Sequence, residues 1–258
     1  MSDQERILER GKSLKHLNDY QLSMIDKIIN QLRTPFLVME RLESSDLISD
    51  CVMKSFGDTL RLHHCFSKEP FTKDKFEYAI ISALNVCGLN AGMAPKGNPG
   101  HDIIVNGTKI SLKTQADKNI KSDKLHISKF MELGKGVWGN DLNDLNGLLN
   151  NFISHLDNYS RIFSLRCLSK HPGDWHYELV EIPKSLLLEA INGDLIMKFN
   201  SKQFPKPGYC SVYENEMKMK FQLYFDGGSE RKLQIKNLMK DYCTVHADWK
   251  FSDISLLE

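Results

Sequence analysis

The chain has 258 residues, 41% of them hydrophobic and 26% charged, with 34 Lys and Arg against 33 Asp and Glu for a net charge of +1. At about 150 residues per domain this allows one large domain or two small ones, long enough to bury a core without staples. The composition excludes disordered, collagen-like and coiled-coil chains, and the charge balance excludes a uniformly basic protein while leaving room for local excess.

The N-terminal segment MSDQERILERGKSLKHL is charged throughout and lacks the apolar stretch of a targeting signal. No apolar run approaches the roughly 18 residues of a membrane helix. Cys51, Cys65, Cys87, Cys167, Cys210 and Cys243 lie far apart with no CxxC pair. The expectation is therefore reduced thiols in a cytoplasmic protein, with neither a zinc site nor a disulfide framework.

The first 90 residues read as helical. Leu22, Ile25, Ile28, Ile29 and Leu32 mark one apolar face over 18–33, and Pro35 stops that helix. Phe76, Ala79, Ile80, Ala83 and Leu84 repeat the pattern over 71–86, with Thr72 as N-cap and Gly88 just past the end. Residues 88–101 hold four glycines and two prolines and read as a loop. A hairpin follows, Asp102–Val105 and Thr108–Gln115 around the turn Asn106-Gly107. Beyond it the pattern predicts a short strand at 125–128, a helix at 141–157 and a strand at 161–168. The last third is β-rich, with strands over 176–183, 194–200, 208–214, 217–226 and 243–251 and a short helix at 184–191.

The hairpin can be read geometrically. A two-residue turn opposes Val105 to Thr108, Ile104 to Lys109, Ile103 to Ile110 and Asp102 to Ser111, and opposed residues share a face. One face carries Ile103, Val105, Thr108, Ile110 and Leu112 and suits a core. The other carries Asp102, Ile104, Lys109, Ser111, Lys113 and Gln115. A carboxylate, a hydroxyl and an ammonium then meet at the open end. That combination suits metal-assisted phosphodiester hydrolysis, because Mg2+ prefers oxygen ligands such as Asp102 and the Leu112 carbonyl. Lys113 would orient the attacking water or neutralise charge on the phosphate. Glu77, on the preceding helix, is the candidate second acid.

Asp102, a nine-residue interval and Ser111-Leu112-Lys113 resemble the PD-(D/E)XK nuclease motif, and the segment GHDIIVNGTKISLKTQ is most similar to type II restriction endonucleases and the related mismatch-repair nicking endonuclease. Two positions depart from the pattern. His101 stands where the family often has proline, and Ser111 stands where it has Asp or Glu. The resemblance covers roughly residues 70–167. It implies an α+β fold with an αβββαβ core, a restriction-endonuclease-like mixed β-sheet flanked by helices. The expected organisation is a helical N-terminal region over 1–70, a catalytic core over 71–170 and a β-rich part over 171–258 carrying DNA recognition, with a soft boundary near 170.

The resemblance further implies a Mg2+-dependent, sequence-specific endonuclease of type II restriction type acting on double-stranded DNA and leaving 5′-phosphates. Asp102, Leu112 and Glu77 would hold the metal, Lys113 would assist the water, and Ser111 would fill the acid position. A homodimer is expected because palindromic sites reward two-fold symmetry, with a monomer nicking strands in turn as the other arrangement. No nucleotide cofactor or membrane is implied. The alternatives are a mismatch-repair-like or phage-defence nicking endonuclease and, in another class, a non-catalytic DNA-binding module with a degenerate nuclease core.

Local charge fits a DNA partner. Residues 95–135 and residues 200–240 each hold eight basic side chains and four acids, offset by ten acids and eight bases over 1–59. Lys118, Lys121 and Lys124 are the candidates near the site for phosphate contact, and Lys96 and Gln115 are further DNA-binding candidates. Lys218, Lys220, Arg231 and Lys232, with Gln203, Lys206, Gln222 and Gln234, form the pool for reading bases. Lys218 and Lys220 share one face of a half-buried strand. The remaining singled-out residues read as structural. His63, His64 and Cys65 lack metal-ligand spacing, His126 and Ser128 lack a triad, Trp138 packs, and His246 and Trp249 belong to the core.

Overall fold

The computed structural model describes residues 2–253 apart from 72, 96, 99, 135–137, 170 and 172, so the expected Thr72 cap and Lys96 lie outside the described residues. The helices are α1 (Asp3–Ser13), α2 (Asp19–Arg33), α3 (Asp50–His64), α4 (Lys73–Val86), α5 (Leu142–His155) and α6 (Lys184–Leu188). The strands are β1 (Val38–Arg41), β2 (Ala91–Met93), β3 (Ile103–Val105), β4 (Thr108–Gln115), β5 (Lys124–Glu132), β6 (Arg161–Cys167), β7 (Asp174–Glu181), β8 (Asp194–Met197), β9 (Gly208–Asn215), β10 (Lys218–Asp226), β11 (Lys232–Met239) and β12 (Thr244–Ser252). Among the described residues these strands form a seven-stranded sheet, β1-β12-β7-β6-β4-β3-β2, and a five-stranded sheet, β5-β11-β10-β9-β8. β4 runs parallel to β6, and the other pairings are antiparallel.

The large sheet is mixed and covered on both sides. On β6, Phe163, Leu165 and Cys167 join the core under α3 and α4, while Ile162 joins the core shared with α5 and the small sheet. β7 divides the same way, with Tyr177 and Leu179 on the helical side and Val180 on the other. This period of two is what a strand buried on both faces requires. The fold is α+β as the sequence implied, with helices first and strands dominating the last third.

Local chemistry sets the elements that carry the site. The turn residues Asn106 and Gly107 have φ of +48° and +83°, the left-handed pair that a two-residue hairpin needs. The resulting register is Val105 with Thr108, Ile104 with Lys109 and Ile103 with Ile110, as the sequence reading had it. Helix α4 ends in a Schellman arrangement. Gly88 N–H donates to the Asn85 carbonyl (3.1 Å), Leu89 N–H donates to the Leu84 carbonyl (3.0 Å), and Gly88 has φ +88°. The Asn85 amide then pairs both ways with the backbone of Ala91, at 2.9 Å each, and so docks β2 against the end of the helix.

Four expectations are corrected. β1 interrupts the region read as helical, and β2 lies in the stretch read as loop. β11 was not anticipated, because a break at Asn237 (φ +52°) hides the alternation of Leu233 and Ile235. The thiols are not all free, since Cys51 at the start of α3 is disulfide-bonded to Cys87 past the end of α4, with Cα atoms 5.7 Å apart. The packing of α3 against α4 brings together cysteines 36 residues apart, a pairing that spacing alone does not reveal. No helix among the described residues is long and apolar enough to cross a membrane.

Trp249, Trp138, His64 and His246 behave as structural residues, whereas Ser128 and His126 border pockets. Trp249 is fully buried with its indole N–H on the Met53 carbonyl (2.9 Å), and Trp138 donates to the Lys206 carbonyl (3.0 Å). His64 stacks on Trp175 and bonds the Ser67 carbonyl and the Tyr177 hydroxyl. His246 sits between Ser45 and Glu181.

Candidate active site

The apolar hairpin face lies in the core as expected, with Ile103, Val105, Ile110 and Leu112 buried against the helices. The polar face is not a solvated surface. Ser111 is fully buried and Gln115 nearly so, because β5 packs against β4 on this side, and His155 at the end of α5 faces the same cleft as Lys113. Burying such groups is costly unless each finds a partner, and the partners here are one another.

Asp102 precedes β3 and turns one oxygen inward. Its Oδ2 accepts from the Leu112 backbone N–H (2.6 Å) and the Ser111 hydroxyl (3.1 Å). The Lys113 ammonium donates to Ser111 Oγ at 2.9 Å, stands 3.9 Å from Asp102 Oδ2 and lies 5.5 Å from the Phe130 ring centre. Burial pushes this ammonium down to about 8, with Asp102 opposing. Ser111 therefore links Asp102 to Lys113 rather than supplying a second carboxylate.

The second acid comes from α4. Glu77 is buried, and its Oε1 lies 3.4 Å from Lys73 Nζ, whose other contact is Asp102 Oδ1 at 3.0 Å. One ammonium thus bridges the two carboxylates. Burial raises the Glu77 carboxyl above its ordinary value, with Lys73 opposing. Burial alone would lower Lys73, but Asp102 and Glu77 outweigh it and hold it protonated. Lys73, Asp102 and Lys113 border a cleft of about 810 Å³ that also takes in Asn98, Ser128, Lys129, Glu132 and His155, and Glu77 sits behind Lys73. Burial and then the Lys113 charge pull His155 below its ordinary value, which favours a neutral imidazole.

Asp102, Ser111, Leu112, Lys113 and Glu77 are brought together. Lys73 and His155 were not singled out from the sequence. Lys73 carries a findable signal, one helical turn before Glu77 on the same face, while His155 reaches the cleft only through the tertiary placement of α5. Lys118, Lys121, Lys124 and Gln115 line an adjoining pocket. Gln115 Oε1 is occupied by Arg166 Nε at 3.1 Å. Arg231 and Gln203 border another cavity, about 630 Å³, that meets the cleft at Glu132. Lys232 pairs with Glu230 (2.8 Å). Lys218 and Lys220 lie toward the opposite end of β10, paired with Glu214 (2.9 Å) and Glu189 (2.7 Å). Lys206 donates to the Ser201 carbonyl, Gln222 to Ser211 and Gln234 to Asp226.

A second group of possible metal ligands, His176, Glu178 and Asp248, gathers on β7 and β12. Both Glu178 oxygens are taken, by Arg166 (2.8 Å) and Lys240 (2.9 Å), and His176 bonds Asp248 (2.8 Å). These contacts occupy Glu178 and His176 and leave Asp248 Oδ1 buried without a hydrogen-bond partner.

A mixed sheet flanked by helices, with an acid-bearing hairpin at a cleft and a further acid on the preceding helix, defines a restriction-endonuclease-like enzyme. The family model SmaI, type II site-specific deoxyribonuclease, matches residues 11–251. The chain is 48% identical over 209 residues, 81% of its own length and 83% of the relative's, to the type II restriction enzyme SmaI of Serratia marcescens. It belongs to the SmaI family of type II site-specific deoxyribonucleases.

Proposed function

We propose that the chain hydrolyses phosphodiester bonds in double-stranded DNA at a specific sequence, with Mg2+ held by Asp102, Glu77 and the Leu112 carbonyl, leaving 5′-phosphate ends. One observation carries the reading: Asp102 Oδ1 and Glu77 Oε1 converge on a single cationic nitrogen, Lys73 Nζ, at 3.0 and 3.4 Å. Two hard carboxylate oxygens aimed at one positive charge fit a divalent cation of the same preference. When bound, such a cation polarises a phosphoryl oxygen and makes a water more acidic.

The protein's own groups do the rest. Leu112 N–H and Ser111 hold Asp102 by Oδ2 and leave Oδ1 outward. Lys113, fixed by Ser111 and facing the cleft, neutralises charge on the phosphate, and an ammonium near 8 can pass a proton at Nζ close to neutral pH. Ser111 transmits the position of Asp102 to Lys113, which accounts for a serine at the family's acid position. Pairing of two copies on a palindromic site is the proposed assembly.

Incubation with phage DNA and Mg2+, followed by sequencing of the ends, tests the function directly. A fixed sequence at every end is expected, and scattered single nicks would overturn site-specific double-strand cleavage. Asp102→Ala and Lys113→Ala are each expected to lower cleavage by at least about 10²–10³-fold while DNA binding survives. Normal cutting by both would remove these residues from the site.

A further inference from the structure

Beside the catalytic cleft, past the end of β4, lies a second pocket of about 590 Å³. The two are continuous along the chain. Lys113 and Thr114 border the cleft and Gln115 the pocket, while Ile127 and Ser128 border the cleft and Leu125 and His126 the pocket. Lys118, Lys121, Lys124 and Lys236 line the pocket with His126, and Asp117 is the carboxylate among its described lining residues. Among the described residues no ion pair is made by Lys118, Lys121, Lys124 or Lys236. On the β-rich part, by contrast, Lys218, Lys220, Lys232 and Lys240 each have an acid within 3 Å. Lys236 instead stands 3.8 Å from the Tyr224 ring centre.

The lysine-bearing loop is braced from below. Arg166, fully buried on β6, donates to the carbonyls of Lys121, Ser122 (3.4 Å) and Lys124 (2.8 Å). The same guanidinium holds Gln115 Oε1 (3.1 Å) and Glu178 Oε2 (2.8 Å), tying the loop to β4 and β7. Ile120 is buried beneath the loop. Four cationic side chains are thus gathered on a preorganised backbone, with their charge left for an outside partner. A preorganised site loses less entropy on binding.

We infer that this pocket binds a DNA phosphate flanking the one that is cut, an assignment that rests on the catalytic reading of the cleft. Lys124 and Ser128 are four residues apart on β5, roughly 13 Å at strand rise. Phosphates on one DNA strand advance about 3.4 Å each along the axis. Because phosphates also wind around that axis, the bound phosphate lies about two to four nucleotides from the scissile one, with about four as the upper limit set by the axial rise. Each lysine that meets the DNA backbone displaces counterions, and its removal flattens the dependence of affinity on salt.

The probe is a plasmid-derived duplex, with binding measured without divalent metal over a salt series. Lys121→Ala/Lys124→Ala/Lys236→Ala is expected to lower the logarithmic salt slope by about 2 to 3, at about 0.9 per contact. An unchanged slope would overturn the pocket. The slope is read on non-specific duplex as well, so it stands whether or not the chain cuts. Failure of the nuclease reading shows separately, as intact DNA with the wild-type chain and Mg2+. On a duplex that the wild type does cut, a single neutral methylphosphonate is then moved outward from the cut. One position about two to four nucleotides away is expected to cost the wild type about tenfold in affinity and to cost the triple variant nothing further. The same penalty in both proteins would place that phosphate elsewhere and refute the assignment.

Discussion

The two lysine-rich stretches carry the same formal charge, eight basic residues against four acids each, yet the fold pairs them to different extents. In the later stretch four ammonium groups are taken up by acids: Lys218 by Glu214, Lys220 by Glu189, Lys232 by Glu230 and Lys240 by Glu178. In the earlier stretch Lys113 is turned into the cleft, and Lys118, Lys121 and Lys124 border the pocket beside it. Lys236 belongs to the later stretch by sequence and to the earlier pocket by position. Charge along a chain records how much is present. Only pairing in space decides how much remains for a polyanion.

The sharpest way to break this contrast is at its hidden support. Arg166→Met removes one partner of a buried pair, strands the carbonyls of Lys121, Ser122 and Lys124, and leaves Glu178 with Lys240 alone. Burial already pulls the Arg166 guanidinium below its ordinary value, with Glu178 opposing. The expected cost is about 3–5 kcal/mol of stability, read as a fall in the urea midpoint. Lys118→Ala, above the same brace but exposed, is expected to stay within about 0.5 kcal/mol. Equal effects would mean that Arg166 does not brace the loop.

Acid should separate buried from exposed charge. Burial against Trp175 lowers the His64 imidazole to about 3. A depressed folded value means that the unfolded chain binds the proton first. The contribution is therefore complete above about 6.5 and is lost as the pH falls toward 3, at about 1.4 kcal/mol per unit. Burial alone would raise Glu181, but hydrogen bonds from Arg161 and His246 outweigh it and hold the carboxyl at about 2. Its contribution is complete above the ordinary value of 4.5 and fades toward 2. Melting temperature should accordingly fall in two overlapping stages below pH 6.5, and His64→Gln should lose the upper one. A flat profile down to pH 4.5 would show that His64 is not held neutral.

The smallest expected effect concerns the paired stretch. Lys218→Ala/Lys220→Ala/Lys232→Ala is expected to change the salt slope of DNA binding by less than about 1, because those ammoniums already have carboxylate partners. A fall of 2 to 3, matching the pocket variant, would erase the distinction between the two regions.

Much of the site was legible beforehand for a definite reason. Asn106-Gly107 admits one tight turn, so the opposition of Asp102 to Ser111 followed from counting, and Glu77 followed from its place on an amphipathic helix before the hairpin. Lys73 is equally local, but a lysine one turn before a glutamate ordinarily signals a surface helix pair, and only the fold brings Asp102 to the same ammonium. His155, the Arg166 brace and the Cys51–Cys87 pairing had no local signal. Each joins elements far apart in sequence, Arg166 reaching Gln115 across 51 positions and the cysteines 36.

The sequence by itself determined the hairpin, its register, the acids at its open end and the mixed α+β character, because turn chemistry and hydrophobic period act over a few residues. The tertiary structure alone decided that the polar hairpin face is roofed and buried, that Lys73 joins Asp102 to Glu77, and which lysines keep their charge free. Those outcomes depend on desolvation and on partners brought together by packing, and neither is a property of a short stretch of chain.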